Sequence, residues 1–169
     1  MASTVIKNWD NKTWLSSKDY IKSFNNFLIK QIKLDRRSRI LDIGCGRGKI
    51  IGTLSSQLML KNKPFGIDLI HHKDKDKRIK FERVDALTFL IKNKKQFDLI
   101  LIKQTIHLLK LNEIKKLLNL AKKNLSKNGR ILILNLDTND NNIPTFKLMK
   151  TKLLKSLKRD KKIIKFITK

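Results

Sequence analysis

Three glycines and three carboxylates, each group at the end of a short apolar run, are the residues of this chain best suited to chemistry. Gly44, Gly46 and Gly48 stand in Asp42-Ile43-Gly44-Cys45-Gly46-Arg47-Gly48, directly after the run Ile40 to Ile43. Glycine lets the chain turn tightly and lets a ligand lie against bare backbone. Gly44 and Gly46 therefore read as a cradle, and Gly48 as the point where a following helix packs closely. The spacing is G-x-G-x-G, not the G-x-G-x-x-G of dinucleotide loops. Asp42 sharpens the distinction, because a carboxylate beside the loop repels a pyrophosphate but suits a ligand carrying an ammonium and a sulfonium. Asp68 lies twenty residues beyond Gly48 and closes another apolar run, a place where an acid accepts hydrogen bonds from both hydroxyls of a ribose. Its plainer reading is a turn or cap acid. Asp85, in Val84-Asp85-Ala86, could accept a proton from an exocyclic amine, with the backbone of Ala86 or Leu87 beside it.

These groups need a scaffold, and the pattern around them alternates apolar runs of strand length with amphipathic stretches of helix length, which predicts an α/β fold. Strands are expected at Ile40 to Ile43, Phe65 to Leu69, Ile79 to Val84, Leu99 to Ile102 and Ile131 to Leu136, with a sixth at Ile163 to Thr168. Helices are expected over Ser17 to Ile32, Ile50 to Leu60, Thr88 to Lys95 and Leu111 to Leu125, the last stopped by Asn128-Gly129. A further helix would open at Pro144 and run to about Asp160. The whole chain reads as one domain: an N-terminal helical region over 1–35, a ligand-binding core over 36–137 and a basic C-terminal segment over 138–169. In a parallel sheet, ligands bind outside the carboxyl ends of the strands where the strand order reverses, so the glycine loop and the acids would share one rim.

Composition bounds the rest. A single cysteine, Cys45, excludes a disulfide framework, and no apolar run is long enough to span a bilayer or to form a signal-peptide core. A reducing, cytoplasmic setting is the expectation. The formal net charge of +26 would attract polyanions such as RNA. Only eight of the basic residues are arginine, and abundant Lys, Asn and Ile also arise from AT-rich coding without selection for a partner. The segment Lys147 to Lys169 concentrates the charge, with ten basic residues against one acid, Asp160. One cysteine and three scattered histidines offer no metal-ligand spacing, so no metal is expected.

The stretch Ile40 to Gly48 resembles the first motif of the class I S-adenosylmethionine-dependent methyltransferases. Phe97-Asp98-Leu99-Ile100 followed by Ile106-His107-Leu108-Leu109 is similar to that family's fourth-strand region. The likeness implies a three-layer Rossmann-like sandwich with a mostly parallel sheet, and S-adenosylmethionine as cofactor in preference to NAD. It implies cofactor contacts from Asp42, Gly44, Cys45, Gly46, Asp68, Leu69, Asp85, Ala86, Lys103 and Gln104. It also implies that Trp9 to Phe27 forms a cap, with Trp14 and Tyr20 covering cofactor or substrate. The family's sheet has seven strands, and this sequence reaches only the sixth, which leaves an edge through which a homodimer could form.

Methyl transfer from a sulfonium is an in-line displacement, accelerated largely by positioning and exclusion of water. His107, just past the fourth strand, is the candidate base for a hydroxyl, thiol or amine acceptor; its plainer reading is a packing residue. His71 and His72 read as solvated, and Cys45 as a small turn residue. The leading expectation is an enzyme that methylates a small molecule. The alternatives are an RNA methyltransferase, which requires a lysine stripe contiguous with the pocket, and a non-catalytic cofactor-binding or truncated domain.

Overall fold

The computed structural model of this chain describes residues 18–136 and 163–168. Within them the elements run α1 (Lys18–Ile32), β1 (Ile40–Ile43), α2 (Lys49–Gln57), β2 (Phe65–Asp68), β3 (Lys80–Arg83), α3 (Ala86–Lys92), β4 (Phe97–Lys103), a short 3₁₀ turn (Ile106–Leu108), α4 (Leu111–Lys123), β5 (Leu125–Leu136) and β6 (Ile163–Thr168). The strands form one six-stranded sheet in the order β3-β2-β1-β4-β5-β6, and every neighbouring pair is parallel. The predicted Rossmann-like α/β architecture is therefore present. Trp14 and the predicted helix after Pro144 lie outside the described residues.

A sheet buried on both faces needs apolar side chains at successive positions, and β1 and the middle of β4 supply them. Alternation then sorts them between two cores. Ile40, Leu99 and Leu101 pack with Ile21, Phe24 and Leu28 of α1 and with Ile50, Ile51 and Leu54 of α2. Leu41, Ile43, Ile100 and Ile102 pack on the other face with Phe89 and Leu90 of α3 and Ile114, Leu117, Leu118 and Ala121 of α4. Each such side chain, fully buried, stabilises the fold by roughly 1.5–3 kcal/mol. By the same alternation Asp42 shares a face with Ile40, the side on which α2 lies.

Several boundaries differ from the expected ones, and two of the differences have a clear side-chain cause. Asn128-Gly129 does not stop α4; both residues lie inside β5, where the pairing jumps from Phe97↔Leu125 to Leu99↔Arg130. Gly129 fits there because a Cβ on it would stand 2.6 Å from the Phe97 carbonyl oxygen. The real stop is Asn124, whose side-chain amide donates to the Leu120 carbonyl at 2.9 Å and to the Leu90 carbonyl of α3 at 3.0 Å. Asn124 thus spends its side chain on carbonyls that the helix end would leave open. Helix α3 begins at Ala86, two residues before the expected Thr88, because the Asp85 carboxylate accepts from the Thr88 amide at 2.9 Å and caps it.

Candidate functional site

The strand order reverses between β1 and β4, and there the loop Gly44–Gly48 leaves the sheet. Gly44, Gly46 and Gly48 all hold positive φ, at 72°, 53° and 69°. Gly44 is held from two sides: its amide donates to the Ile67 carbonyl at 2.9 Å, and a Cβ on it would meet Thr105 Oγ1. Thr105 itself donates from Oγ1 to the Ile43 carbonyl (3.2 Å) or the Lys103 carbonyl (2.9 Å), so the end of β4 is tied to the start of the loop. Gly48 opens α2 and packs where a Cβ would collide with Ile79, the close approach expected of it. No side chain caps α2, so its first-turn amides face the loop without a side-chain acceptor from Gly48.

The acids stand at the tips of neighbouring strands. Asp42 is buried in β1 at 3% exposure, in register with Gly66 and Leu101. Asp68 closes β2 and takes two amides: Gly46 N–H donates to Oδ2 at 2.8 Å, and Ile70 N–H to Oδ1 at 2.8 Å. It is a turn acid and a clasp on the glycine loop together. Asp85 follows β3, joined to the tip of β2 by the Val84 amide donating to the Asp68 carbonyl at 3.2 Å. Hydrogen bonds from Thr88, side chain first and then backbone, hold the Asp85 carboxyl below the ordinary carboxylate range. Leu69, beside Asp68, is 65% exposed although apolar.

At the end of β4, Gln104 adopts φ 51°, a conformation that costs a non-glycine residue of order 1 kcal/mol or more. Its amide donates to the Leu134 carbonyl at 2.8 Å, while Nε2 is buried without a hydrogen-bond partner among the described residues. The left-handed backbone and the orphaned donor thus stand together at the end of β4. Lys103 precedes it as the last residue of β4. His107 lies in the 3₁₀ turn just beyond; its side chain lies outside what the structure describes.

So Asp42, Gly44, Cys45, Gly46, Asp68, Leu69, Asp85, Ala86, Lys103 and Gln104 all fall on one rim of the sheet. Cys45 is half-buried, with Sγ 2.7 Å from where a Gly66 Cβ would sit, which accounts for a small residue there. Tyr20 sits in the first turn of α1, the helix that packs on α2 through Asn25, whose side-chain amide donates to the Ile50 carbonyl at 3.1 Å. His71 is exposed, as expected, with its ring edge-on to Phe81.

Sequence reasoning passed over the braces behind the loop. Arg47 Nε donates to both carboxylate oxygens of Asp74, at 2.9 and 2.7 Å, and the Asp76 amide donates to the Arg47 carbonyl at 2.9 Å. Arg78 then binds Asp76 through Nε (2.9 Å) and Nη2 (2.6 Å), and Ser56 of α2 through Nη1 (2.9 Å). These pairs hold residues 70–79 against both the loop and α2. The only signal for them was a pair of acids, Asp74 and Asp76, in an otherwise basic segment. Thr105 had no signal beyond its place after β4.

With this geometry in view, comparison with known proteins is informative. Residues 34–166 match the methyltransferase domain family. No curated protein matches the chain. Among solved structures, the plantazolicin methyltransferase BpumL in complex with a pentazolic desmethylPZN analog and SAH is 27% identical. It superposes with a TM-score of 0.60, over 76% of this chain and 51% of that one. A S-adenosylmethionine-dependent methyltransferase from Clostridium acetobutylicum is 19% identical with a TM-score of 0.60, covering 76% and 55%. One from Geobacter sulfurreducens, in complex with S-adenosyl-L-homocysteine, is 16% identical with a TM-score of 0.56, covering 76% and 53%. The last two carry the fold alone, and this chain spans about half the length of these proteins. The match over residues 34–166, on a sheet of this order with this loop at its reversal, establishes that the chain belongs to the methyltransferase domain family.

Proposed function

We propose that the rim formed by the C-terminal ends of β1 to β4 binds S-adenosylmethionine and that the protein transfers its methyl group to a small-molecule acceptor. The observation that carries this reading is the clasp of Asp68 on the Gly46 amide. It sets a carboxylate with one lone pair free on each oxygen beside a loop of left-handed glycines, which suits the two hydroxyls of a ribose. Leu69 offers an exposed apolar surface for a base, and the exposed Asp85 carboxylate stands where an exocyclic amine could donate to it. The open first turn of α2 suits a carboxylate, buried Asp42 favours a cationic ligand, and Gln104 Nε2 supplies a donor.

When bound, the cofactor would supply a methyl group on a sulfonium, whose C–S bond would break with its electron pair passing to sulfur, giving a thioether, as the acceptor's lone pair bonds the methyl carbon and the acceptor gives up a proton. The residues of this chain then have positioning work: the loop and acids fix the nucleoside, and Lys103 and Gln104 stand where an acceptor would be oriented. His107 is the residue assigned to hold the departing proton. A small acceptor fits better than RNA because the exposed side chains around this rim mix signs. Lys73, Arg83 and Lys110 stand there with Asp74, Glu82 and Asp85. Among the described residues no lysine stripe runs continuously from this rim.

Titration calorimetry with S-adenosylmethionine and S-adenosylhomocysteine, with NAD as control, tests the cofactor. Saturable heat from the first two and none from NAD is expected, and a preference for NAD would overturn the assignment. Binding without turnover over a panel of small acceptors would leave the chain as a cofactor-binding domain.

A further inference from the structure

In a parallel sheet all strands enter at one end, and here that end is almost uniformly basic. Each of the five strand entries from β1 to β5 brings at least two exposed lysines or arginines, for example Arg36 and Arg37 before β1, or Lys94 and Lys95 before β4. The entries are knitted to one another. Lys61 N–H donates to the Arg36 carbonyl at 2.8 Å, Lys63 Nζ to the Lys77 carbonyl at 3.1 Å, and the Phe97 amide to the Asn124 carbonyl at 2.8 Å. Around Phe65, the first residue of β2, two cations converge, one from the start of β3 and one from the connection before β4: Lys80 Nζ lies 5.1 Å and Lys95 Nζ 4.9 Å from the ring centroid. The acids at this end are already engaged. Asp98 accepts from the Arg39 amide and the Ser126 hydroxyl, and Asp35 from the Arg37 amide and the Ser38 hydroxyl.

We infer that this strand-entry face is a docking surface for the phosphodiester backbone of a nucleic acid, separate from the methyl-transfer site. Five strands about 4.8 Å apart give a basic front roughly 20 Å wide, enough to meet several phosphates at once. The cations are mainly lysines on flexible stems, which neutralise phosphates without reading base edges, so RNA and DNA of equal length bind alike. A bilayer surface fits less well, because anchoring calls for apolar side chains inserted together with the charge. The exposed apolar residues nearest this end, Met59 after α2 and Ile91 on α3, stand singly on opposite layers of the sandwich. The strand β4, seven residues long, separates this face from the glycine loop by roughly 20 Å. A docked strand therefore localises the protein and is not its methyl acceptor in that pose.

Fluorescence anisotropy with a labelled RNA duplex and a DNA duplex of the same length tests the surface in the full chain. The triple charge reversal Lys63→Glu, Lys80→Glu, Lys95→Glu is compared with Lys115→Glu, Lys116→Glu on the exposed flank of α4, and with the milder triple change to Gln. Expected are similar affinities for both duplexes and steep weakening between about 50 and 200 mM salt. The reversal should lose at least about tenfold in affinity with a shallower salt slope, the Gln set should lose less, and the α4 pair about twofold or less. Equal losses from the α4 pair would place the binding elsewhere and overturn the proposal. So would undiminished binding in both triple variants, or capture by vesicles of phosphatidylcholine and phosphatidylserine without binding to either duplex. If the Glu variant fails to fold, the Gln variant decides.

Discussion

The two ends of the sheet are built from the same backbone yet present opposite surfaces. At the exit end Asp42 stands one residue before the end of β1, Asp68 closes β2 and Asp85 follows β3, three glycines hold left-handed φ, and Gln104 does too. At the entry end the connections carry lysines and arginines, Lys33 and Met59 also hold positive φ, at 52° and 48°, and the buried glycine Gly129 answers a packing demand alone. The difference teaches where function sits in this fold. Left-handed glycines and acceptor side chains gather where a ligand would touch backbone, whereas the entry end carries exposed charge.

The largest effect should follow from Gly44→Ala. A side chain there meets Thr105 Oγ1 and forces φ 72° on an L-residue, so binding of S-adenosylhomocysteine should vanish in calorimetry. Stability should fall by about 1–3 kcal/mol or more in denaturant titration. Adding Thr105→Ala should restore part of the stability, since it relieves the collision but not the strain; full restoration would show that strain is not what the loop needs. Next in size, His107→Ala should slow turnover about a hundredfold while sparing cofactor affinity, as loss of a base does. Unaltered turnover would return His107 to packing.

A smaller effect is expected behind the loop. Asp76 sits below the ordinary carboxylate range because of its hydrogen bond with the Arg78 side chain. A carboxyl lowered in the folded state contributes stability at neutral pH that is lost as pH falls through its folded-state pKa. Arg78→Ala should therefore cost about 1 kcal/mol or less at pH 7, with the gap from wild type narrowing in acid melts below the carboxylate range. A gap that widens in acid would contradict the pairing. Smallest of all, the entry-end reversal at Lys63, Lys80 and Lys95 should change cofactor affinity by about twofold or less, because the site lies beyond a Debye length of about 8–10 Å. A larger change would mean that the two ends are coupled.

Much of the exit end was legible because its requirements are local. Ile40 to Ile43 is bounded by a charged residue and a glycine, so β1 begins and ends where the pattern does. The acids are legible because each follows an apolar run. What escaped depends on contacts between distant residues: Asn124 reaching Leu90, Gly129 against Phe97, Arg47 on Asp74 and Thr105 against Gly44. Asn128-Gly129 looks like a helix stop in sequence, and only the passage of β4 beside it makes it part of a strand. The basic entry face was invisible for the same reason, since its lysines are scattered along the sequence and become neighbours only when five strands start together.

The central claim is that the clasp of Asp68 on the glycine loop is a nucleoside site. Crystals grown with S-adenosylhomocysteine test it most directly, supported by the Asp68→Ala variant, whose affinity should drop roughly tenfold or more for a loss of about 1.5–3 kcal/mol. The account predicts the ribose hydroxyls on the Asp68 carboxylate and the chain of the ligand along Gly44 to Gly46. Density for the ligand elsewhere, or an empty loop at saturating ligand together with an Asp68→Ala affinity equal to wild type, would contradict it.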